Sequence, residues 1–299
     1  MNIDKIIDLL NKVGVEFLKD APMKNYTTFR IGGPADLLIT TKTTNELRSI
    51  LEILRSEDMP WMLLGNGSNL LVRDEGLKMA MIRLSGDFKG VELNENTVTC
   101  GAGVTLSKLC TFAHSNALSG LEFAFGIPGT VGGAVYMNAG AYGGEMKDVL
   151  LDVTYLTESG EICTKRAEEL SLSYRHSLFK ETGDIILFAS FKLSKDCKED
   201  IKARMDDFMN RRVTKQPLEY PSAGSVFKRP EGAFAGALIE QCNFKGYSIG
   251  GAQVSEKHSG FIVNRGEATC SDVLSLISEI QETVREKTGF ELEREIILI

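Results

Sequence analysis

Between Phe123 and Gly144 the chain reads Phe-Ala-Phe-Gly-Ile-Pro-Gly-Thr-Val-Gly-Gly-Ala-Val-Tyr-Met-Asn-Ala-Gly-Ala-Tyr-Gly-Gly. Seven glycines fall within the nineteen residues from Gly126 to Gly144, with almost no charge among them. A flexible linker pairs glycine with serine and carries few large apolar side chains. Here Phe123, Phe125, Ile127, Val131, Val135, Tyr136 and Met137 alternate with the glycines, so this backbone is packed. Glycine in a packed apolar segment means a close approach to the main chain or a positive φ. A large flat ligand carrying a diphosphate requires both.

A second cluster, Leu64-Gly65-Asn66-Gly67-Ser68-Asn69-Leu70, supports that reading. Pro60–Leu64 reads as a short buried strand, and Leu70–Val72 as its continuation beyond a tight loop. Such a loop can turn backbone N–H groups inward around an anion. It is not G-x-G-x-x-G, because Leu70 stands at the third glycine position, and no Gly-Lys-Ser/Thr follows to make a Walker loop. A plain strand–turn–strand is the alternative for this cluster taken alone.

At 299 residues the chain is long enough for about two domains. Its formal net charge of −7 and lack of a basic tract exclude a general nucleic-acid binder. The six cysteines are dispersed and form no C-x-x-C pair, which reads as buried free thiols in a reducing compartment, with no metal site. The N-terminus has an amphipathic pattern with two early aspartates, and no charge-free apolar run spans a bilayer. The expectation is a cytoplasmic protein without membrane insertion, a monomer by preference.

Periodicity predicts helices at Ile3–Val13, from Thr43 to about Glu57, at Leu106–Asn116 and from Thr269 to a Gly289 cap. Strands are predicted around Leu37–Thr40, Met81–Leu84, Val91–Leu93, Thr97–Cys100, Val149–Leu156, Ile185–Leu193 and Glu291–Ile299. Composition shifts near Lys195, and the charged helix after it is expected to open a second domain. The division expected is 1–26 as a lead-in, 27–193 as two subdomains breaking near 85, and 194–299 as a C-terminal domain.

Three polar positions break the pattern. Arg175 sits in Leu-Ser-Tyr-Arg-His-Ser between strand-like stretches, where a surface arginine is the competing reading. Ser225 sits in Ala-Gly-Ser-Val-Phe-Lys; a turn serine competes there, and the hydrolase elbow is excluded by Ala223 and Phe227. Glu295 has apolar residues on both sides at strand spacing, which predicts a buried carboxylate. Such a group is paired or protonated, and when protonated it is an acid.

At these residues the chain resembles the UDP-N-acetylenolpyruvoylglucosamine reductase family. The matching pieces run in order: Asn25-Tyr-Thr-Thr-Phe-Arg-Ile-Gly-Gly, Leu64-Gly-Asn-Gly-Ser-Asn-Leu-Leu, Gly126-Ile-Pro-Gly-Thr-Val-Gly-Gly-Ala, Asn138-Ala-Gly-Ala-Tyr-Gly, Tyr174-Arg-His-Ser, Ala223-Gly-Ser-Val-Phe-Lys, His258-Ser-Gly-Phe-Ile-Val-Asn and Leu292-Glu-Arg-Glu. The resemblance implies an α+β fold: an FAD-binding domain of the vanillyl-alcohol oxidase type, then a C-terminal α+β substrate domain. It implies non-covalent FAD, NADPH as hydride donor, a UDP-sugar substrate and ping-pong turnover in peptidoglycan synthesis. Arg175, Ser225 and Glu295 take the catalytic positions, with Ser225 as proton donor and Lys228 a candidate to activate it. Flavin contacts carry over to Gly65, Asn66, Gly67, Ser68, Asn69, Gly126, Pro128, Gly129, Gly132, Gly133, Asn138 and Gly140. Candidate substrate contacts are Tyr174, Lys215, Lys228 and His258. Arg229 departs from the asparagine usual in the family, and the short span from Arg175 to Ser225 leaves out the tyrosine-bearing loop of longer members. An FAD-dependent oxidase of the same fold and a non-catalytic nucleotide-sugar binder are the alternatives.

Overall fold

A computed structural model describes residues 2–299. By proximity of Cα atoms the chain divides into two units, each assembled from three stretches. The first takes residues up to Phe17, Leu38–Gly65 and Met81–Arg212; the second takes Leu18–Leu37, Asn66–Ala80 and Val213–Ile299. The helix expected to open a second domain, Lys198–Lys215, instead places Ile201 and Met205 in the core of the first unit. Its apolar stripe is satisfied there, so the compositional shift at Lys195 marks no boundary.

The first unit is built on a five-stranded antiparallel sheet. Its order is Ile162–Arg166, Leu150–Leu156, Ile185–Lys192, Thr97–Gly101 and Val91–Asn94. Val98, Val153, Ala189 and Phe191 from this sheet share a core with Leu109 of the helix Leu106–Ser115 and with Val131 and Val135 of the short helix Val131–Tyr136. The helix Thr44–Ser56 starts where Thr43 accepts from the Glu46 N–H at 3.2 Å, and buries Leu47, Ile50, Leu51 and Leu54. That cap removes an orphan donor, which sets the first turn. The glycine-rich stretch thus enters the core through its apolar residues while its glycines remain at or near the surface.

The second unit holds a four-stranded antiparallel sheet in the order Ser222–Ser225, Phe261–Asn264, Ala252–Val254 and Ser248–Ile249. The helix Cys270–Thr288 covers it with Val273, Leu276, Ile277, Ile280 and Val284, opening on a Thr269/Asp272 capping box and closing at Gly289 with φ +77°. This is the start and stop chemistry expected of those residues.

Three local expectations are corrected. Leu70–Leu71 does not continue Trp61–Leu63; it pairs in parallel with Ile297–Leu298 in another sheet. Glu291–Ile299 is not one strand, because it changes partners. Glu293 O accepts from Lys228 N and Glu295 N donates to Val226 O, whereas Ile297 N donates to Asn69 O and Ile299 N to Leu71 O. With no continuous neighbour, only Ile297–Leu298 is a regular strand. The cysteines are not all buried: Cys100, Cys110, Cys242 and Cys270 are, but Cys163 is half-buried and Cys197 exposed. Among the described residues no helix is long and apolar enough to cross a membrane, and no three metal-ligating side chains cluster.

Candidate active site

In the first unit the glycines sort by what requires them. At Gly65 an added Cβ would stand 2.6 Å from Thr130 Oγ1, and at Gly132 it would stand 2.8 Å from the Ala102 Cβ. The Gly132 N–H also donates to Ala102 O at 2.9 Å, so internal packing alone demands glycine there. Gly129 and Gly133 differ. A Cβ at Gly129 would meet nothing nearer than Leu106 Cδ1 at 3.6 Å, and one at Gly133 nothing nearer than Thr130 Oγ1 at 3.5 Å. Both are ordinary contacts, and neither residue has a positive φ. The protein has no internal need for glycine at either place. Bare backbone beside the exposed Pro128 is what a flat ligand lying on the chain would use. Gly126, at φ +86°, turns the chain over the helix Lys198–Lys215, against Met209 and Arg212.

The Asn138 side chain, carried over as a flavin contact, is engaged within the first unit. It is fully buried, with Nδ2 donating to Glu145 Oε2 and to Ser173 O, both at 2.9 Å, and Oδ1 accepting from Lys147 N at 3.0 Å. Its side chain therefore faces into the first unit. Glu145 lies below the usual carboxylate range because Lys147 pairs with it at 2.9 Å, with Asn138 and the Arg175 charge adding to the effect against partial desolvation.

Arg175 occupies a tight turn. Ser173 and His176 exchange backbone hydrogen bonds at 3.2 and 3.1 Å, and Arg175 takes φ +56° between them. A non-glycine residue in the left-handed region is uncommon and concentrates at functional sites. Tyr174 is exposed, with the Arg175 guanidinium 5.0 Å from its ring centroid.

The second unit gathers the Gly67 loop, Ser225 and Glu295. Gly67 has φ +60°, and a Cβ would collide with the Tyr26 carbonyl and lie 2.9 Å from Thr27 Cα, so the loop is pressed onto that segment. Asn69 Nδ2 donates to Glu295 O at 3.3 Å, fastening the same loop to the C-terminal segment. Ser225 ends its strand opposite Phe261, and the next carbonyl, Val226 O, receives the Glu295 N–H at 2.7 Å. Ser225 and Glu295 are thus held on neighbouring segments by main-chain bonds. Glu295 is half-buried and not enclosed as its apolar neighbours suggested. In this segment Leu292 and Ile296 are buried, while Ile297, Leu298 and Ile299 are half-buried like Glu295.

Lys228 Nζ forms an ion pair with Glu293, so its charge is already matched and is not reserved for Ser225. His258 packs edge-on to Phe261 at 5.0 Å and its Nδ1 accepts from Gly260 N at 3.1 Å. Burial lowers its pKa, which favours the neutral ring with the proton on Nε2. Lys215 is exposed at the end of its helix, while Asn66 is exposed and Ser68 half-buried in the Gly67 loop; Gly140 sits in a tight hairpin against Gly144.

One residue beside the glycine segment escaped sequence reasoning. Arg212 is almost fully buried, with Nε 3.1 Å from the Cβ position of Gly126 and the guanidinium 5.7 Å from the Tyr142 ring centroid. Burial lowers its pKa. The signal was in the spacing: Ile201, Met205 and Phe208 extend by four residues to Arg212, an arginine on the apolar stripe.

A family model described as an FAD binding domain matches residues 35–165, and one described as the C-terminal domain of UDP-N-acetylenolpyruvoylglucosamine reductase matches residues 216–299. With the α+β architecture above, these define a flavoprotein: an FAD-binding domain joined to a C-terminal α+β domain. A UDP-N-acetylenolpyruvoylglucosamine reductase of Agathobacter rectalis is 49% identical over 99% of this chain and 98% of its own length. One of Clostridioides difficile is 45% identical over 100% and 98%. The crystal structure of UDP-N-acetylenolpyruvylglucosamine reductase from Thermus caldophilus aligns with a TM-score of 0.82 at 40% identity, covering 95% of this chain and 98% of that one. The chain belongs to the UDP-N-acetylenolpyruvoylglucosamine reductase family.

Proposed function

We infer that this chain uses NADPH to reduce the enolpyruvyl double bond of UDP-N-acetylglucosamine-enolpyruvate, giving UDP-N-acetylmuramate for peptidoglycan synthesis. It would do so as a cytoplasmic monomer, supporting cell-wall biogenesis and, through it, cell shape and division. The observation that carries the residue assignment is the main-chain bond from Glu295 N to Val226 O, which sets the Ser225 and Glu295 segments side by side. FAD, held on the bare backbone at Gly129 and Gly133, would supply the hydride taken from NADPH.

The chain's own residues handle charge and proton. Hydride addition at the terminal carbon leaves negative charge on the α-carbon and on an already anionic carboxylate. The Arg175 guanidinium, fixed on its turn, offsets that charge as it grows, and Glu295 in its acid form donates a hydrogen bond to the same carboxylate. Ser225 Oγ delivers the proton to the α-carbon. Tyr174, Lys215, His258 and Lys228 are assigned to holding the sugar nucleotide.

Anaerobic stopped-flow absorbance separates the two half-reactions. NADPH reduction needs no proton at the substrate carbon, so Ser225→Ala bleaches the flavin at near-parental rate. Reoxidation by the enolpyruvyl sugar nucleotide slows by ~10²–10⁴-fold, the usual loss of a positioned general acid, and Ser225→Cys recovers part of it. An unaffected second phase removes Ser225 from the mechanism. Rapid reoxidation of the parent by air makes the protein an oxidase.

A further inference from the structure

Leu172 before the Arg175 turn and Leu178 after it pack against the core of the first unit, but the turn itself is polar. Ser173 and Tyr174 are exposed, and Arg175 stands in a left-handed conformation that an arginine adopts only when its surroundings impose it. Polar contacts hold the turn at both ends, and Lys180 Nζ donates to Arg175 O at 3.2 Å. At the N-terminal end Ser173 O accepts both the His176 N–H that closes the turn, at 3.1 Å, and the Asn138 Nδ2, at 2.9 Å. At the C-terminal end the fully buried Ser177 donates Oγ to Tyr136 O at 2.7 Å.

Asn138 suits this task, and as an asparagine it also tolerates its own left-handed backbone at φ +41°. Its second amide hydrogen goes to Glu145 Oε2 and its Oδ1 to Lys147 N, so all its strong directions end inside the first unit. The amide cannot be turned round, because Oδ1 would then face the Ser173 carbonyl. Tyr136 and Asn138 both belong to the chain that continues from the short helix Val131–Tyr136. The glycine segment and the Arg175 turn are therefore fastened together at two points by hydrogen bonds.

We propose that Asn138 and Ser177 are positioning residues for Arg175: they hold the turn that aims the guanidinium, and contact neither flavin nor substrate. The inference rests on the assignment of Arg175 to the reaction. It assigns Asn138 a task in the second half-reaction only. A displacement of the guanidinium of about 1 Å is enough for a loss near 10²-fold.

The test uses the flavin-loaded enzyme and four variants: Asn138→Ala, Ser177→Ala, Arg175→Lys and the double variant Asn138→Ala/Arg175→Lys. Expected for Asn138→Ala are parental FAD affinity in apoprotein titration, a parental NADPH phase, and a reoxidation phase slowed at least tenfold. In steady state kcat and the KM for NADPH fall together, leaving kcat/KM for NADPH at the parental value. Because Asn138 acts through Arg175, its removal adds less than twofold in the Arg175→Lys background. If Asn138→Ala does not fold, Ser177→Ala carries the same criteria, with at least threefold slowing of reoxidation. Loss of FAD affinity, slowing of both phases or full additivity in the double variant overturns the positioning assignment. If Arg175→Lys itself reoxidises at the parental rate, the role of Arg175 fails first, and that result is distinct from a fast Asn138→Ala beside a slow Arg175→Lys.

Discussion

Replacing Gly129 by alanine separates a glycine kept for a ligand from one kept for the fold. Its Cβ would sit 3.6 Å from Leu106 Cδ1 and 3.9 Å from Ile127 Cγ2, within ordinary van der Waals contact, and the residue has no positive φ. The apoprotein then loses nothing, and a less flexible unfolded chain stabilises it by roughly 0.4–1 kcal/mol. Gly67 is the internal control. Its φ of +60° opposes alanine by about 1–2 kcal/mol, and the new Cβ would press on the Tyr26 carbonyl and Thr27 Cα. Thermal melts of apoprotein should therefore show Gly129→Ala at or slightly above the parent and Gly67→Ala several degrees below it. Fluorescence titration with FAD should show the reverse emphasis: Gly129→Ala weakens binding tenfold or more, or at least about 1.4 kcal/mol. A Gly129→Ala protein with parental FAD affinity would refute the placement of flavin on that backbone. A Gly129→Ala apoprotein that melts well below the parent would refute the packing argument.

Two further predictions test the electrostatics and the thiols. Glu122 is buried, which alone would raise its pKa, but Arg204 at 2.8 Å, the Gly120 N–H and Ser119 Oγ outweigh burial and lower it. A carboxylate lowered on folding stabilises above its unfolded pKa near 4.5 and loses that contribution as pH falls through the folded value. Urea midpoints should accordingly drop from pH 7 toward pH 3 more steeply in the parent than in Glu122→Gln; parallel curves would remove Glu122 as a source of acid sensitivity. Iodoacetamide on native protein should modify the exposed Cys197 first and the half-buried Cys163 next. Cys100 and Cys110, whose thiols burial pushes up to about 12, should stay unmodified until urea unfolds the chain. Early modification of either by mass spectrometry would contradict the packing of the first unit.

How much of this was legible depended on whether the determining interaction was local. Helix ends were readable because a cap uses residues three apart: Thr43 with Glu46, and Thr269 with Asp272, bond as their spacing implies. The glycine segment was readable as a site because apolar residues between glycines rule out a linker. Partner changes were not readable. Glu291–Ile299 alternates like a strand, yet its hydrogen bonds go first to the Val226–Lys228 stretch and then to Asn69–Arg73, both far away in sequence. The burial of Glu295 was misjudged for that reason: alternation reports apolarity on both sides, not what covers it. Charge pairing was equally hidden, since Lys228 finds Glu293 sixty-five residues on.

The least legible residues were the buried asparagines, and each unit has one with the same task. In the first, Asn138 closes on Ser173 O, two residues before Arg175 at φ +56°. In the second, Asn264 donates to Phe29 O at 3.2 Å, next to Arg30 at φ +55°, while its Oδ1 accepts from Gly266 N and Ala268 N. In each case one amide side chain satisfies a distant loop carbonyl and at least one backbone N–H, beside an arginine in a conformation arginine does not choose. Leucine in either place would fill similar volume but strand those partners in the interior, at about 1–3 kcal/mol for each buried group left unsatisfied. No hydrophobic period marks such a residue, because its selection comes from two segments that only folding brings together. A polar residue of moderate size within an otherwise apolar or glycine-rich run is the trace it leaves, and Asn138 in Tyr-Met-Asn-Ala-Gly and Asn264 in Phe-Ile-Val-Asn both show it. The same trace invites a reading as a ligand contact. Only the direction of the side chain separates a residue that touches a ligand from one that holds the residue that does.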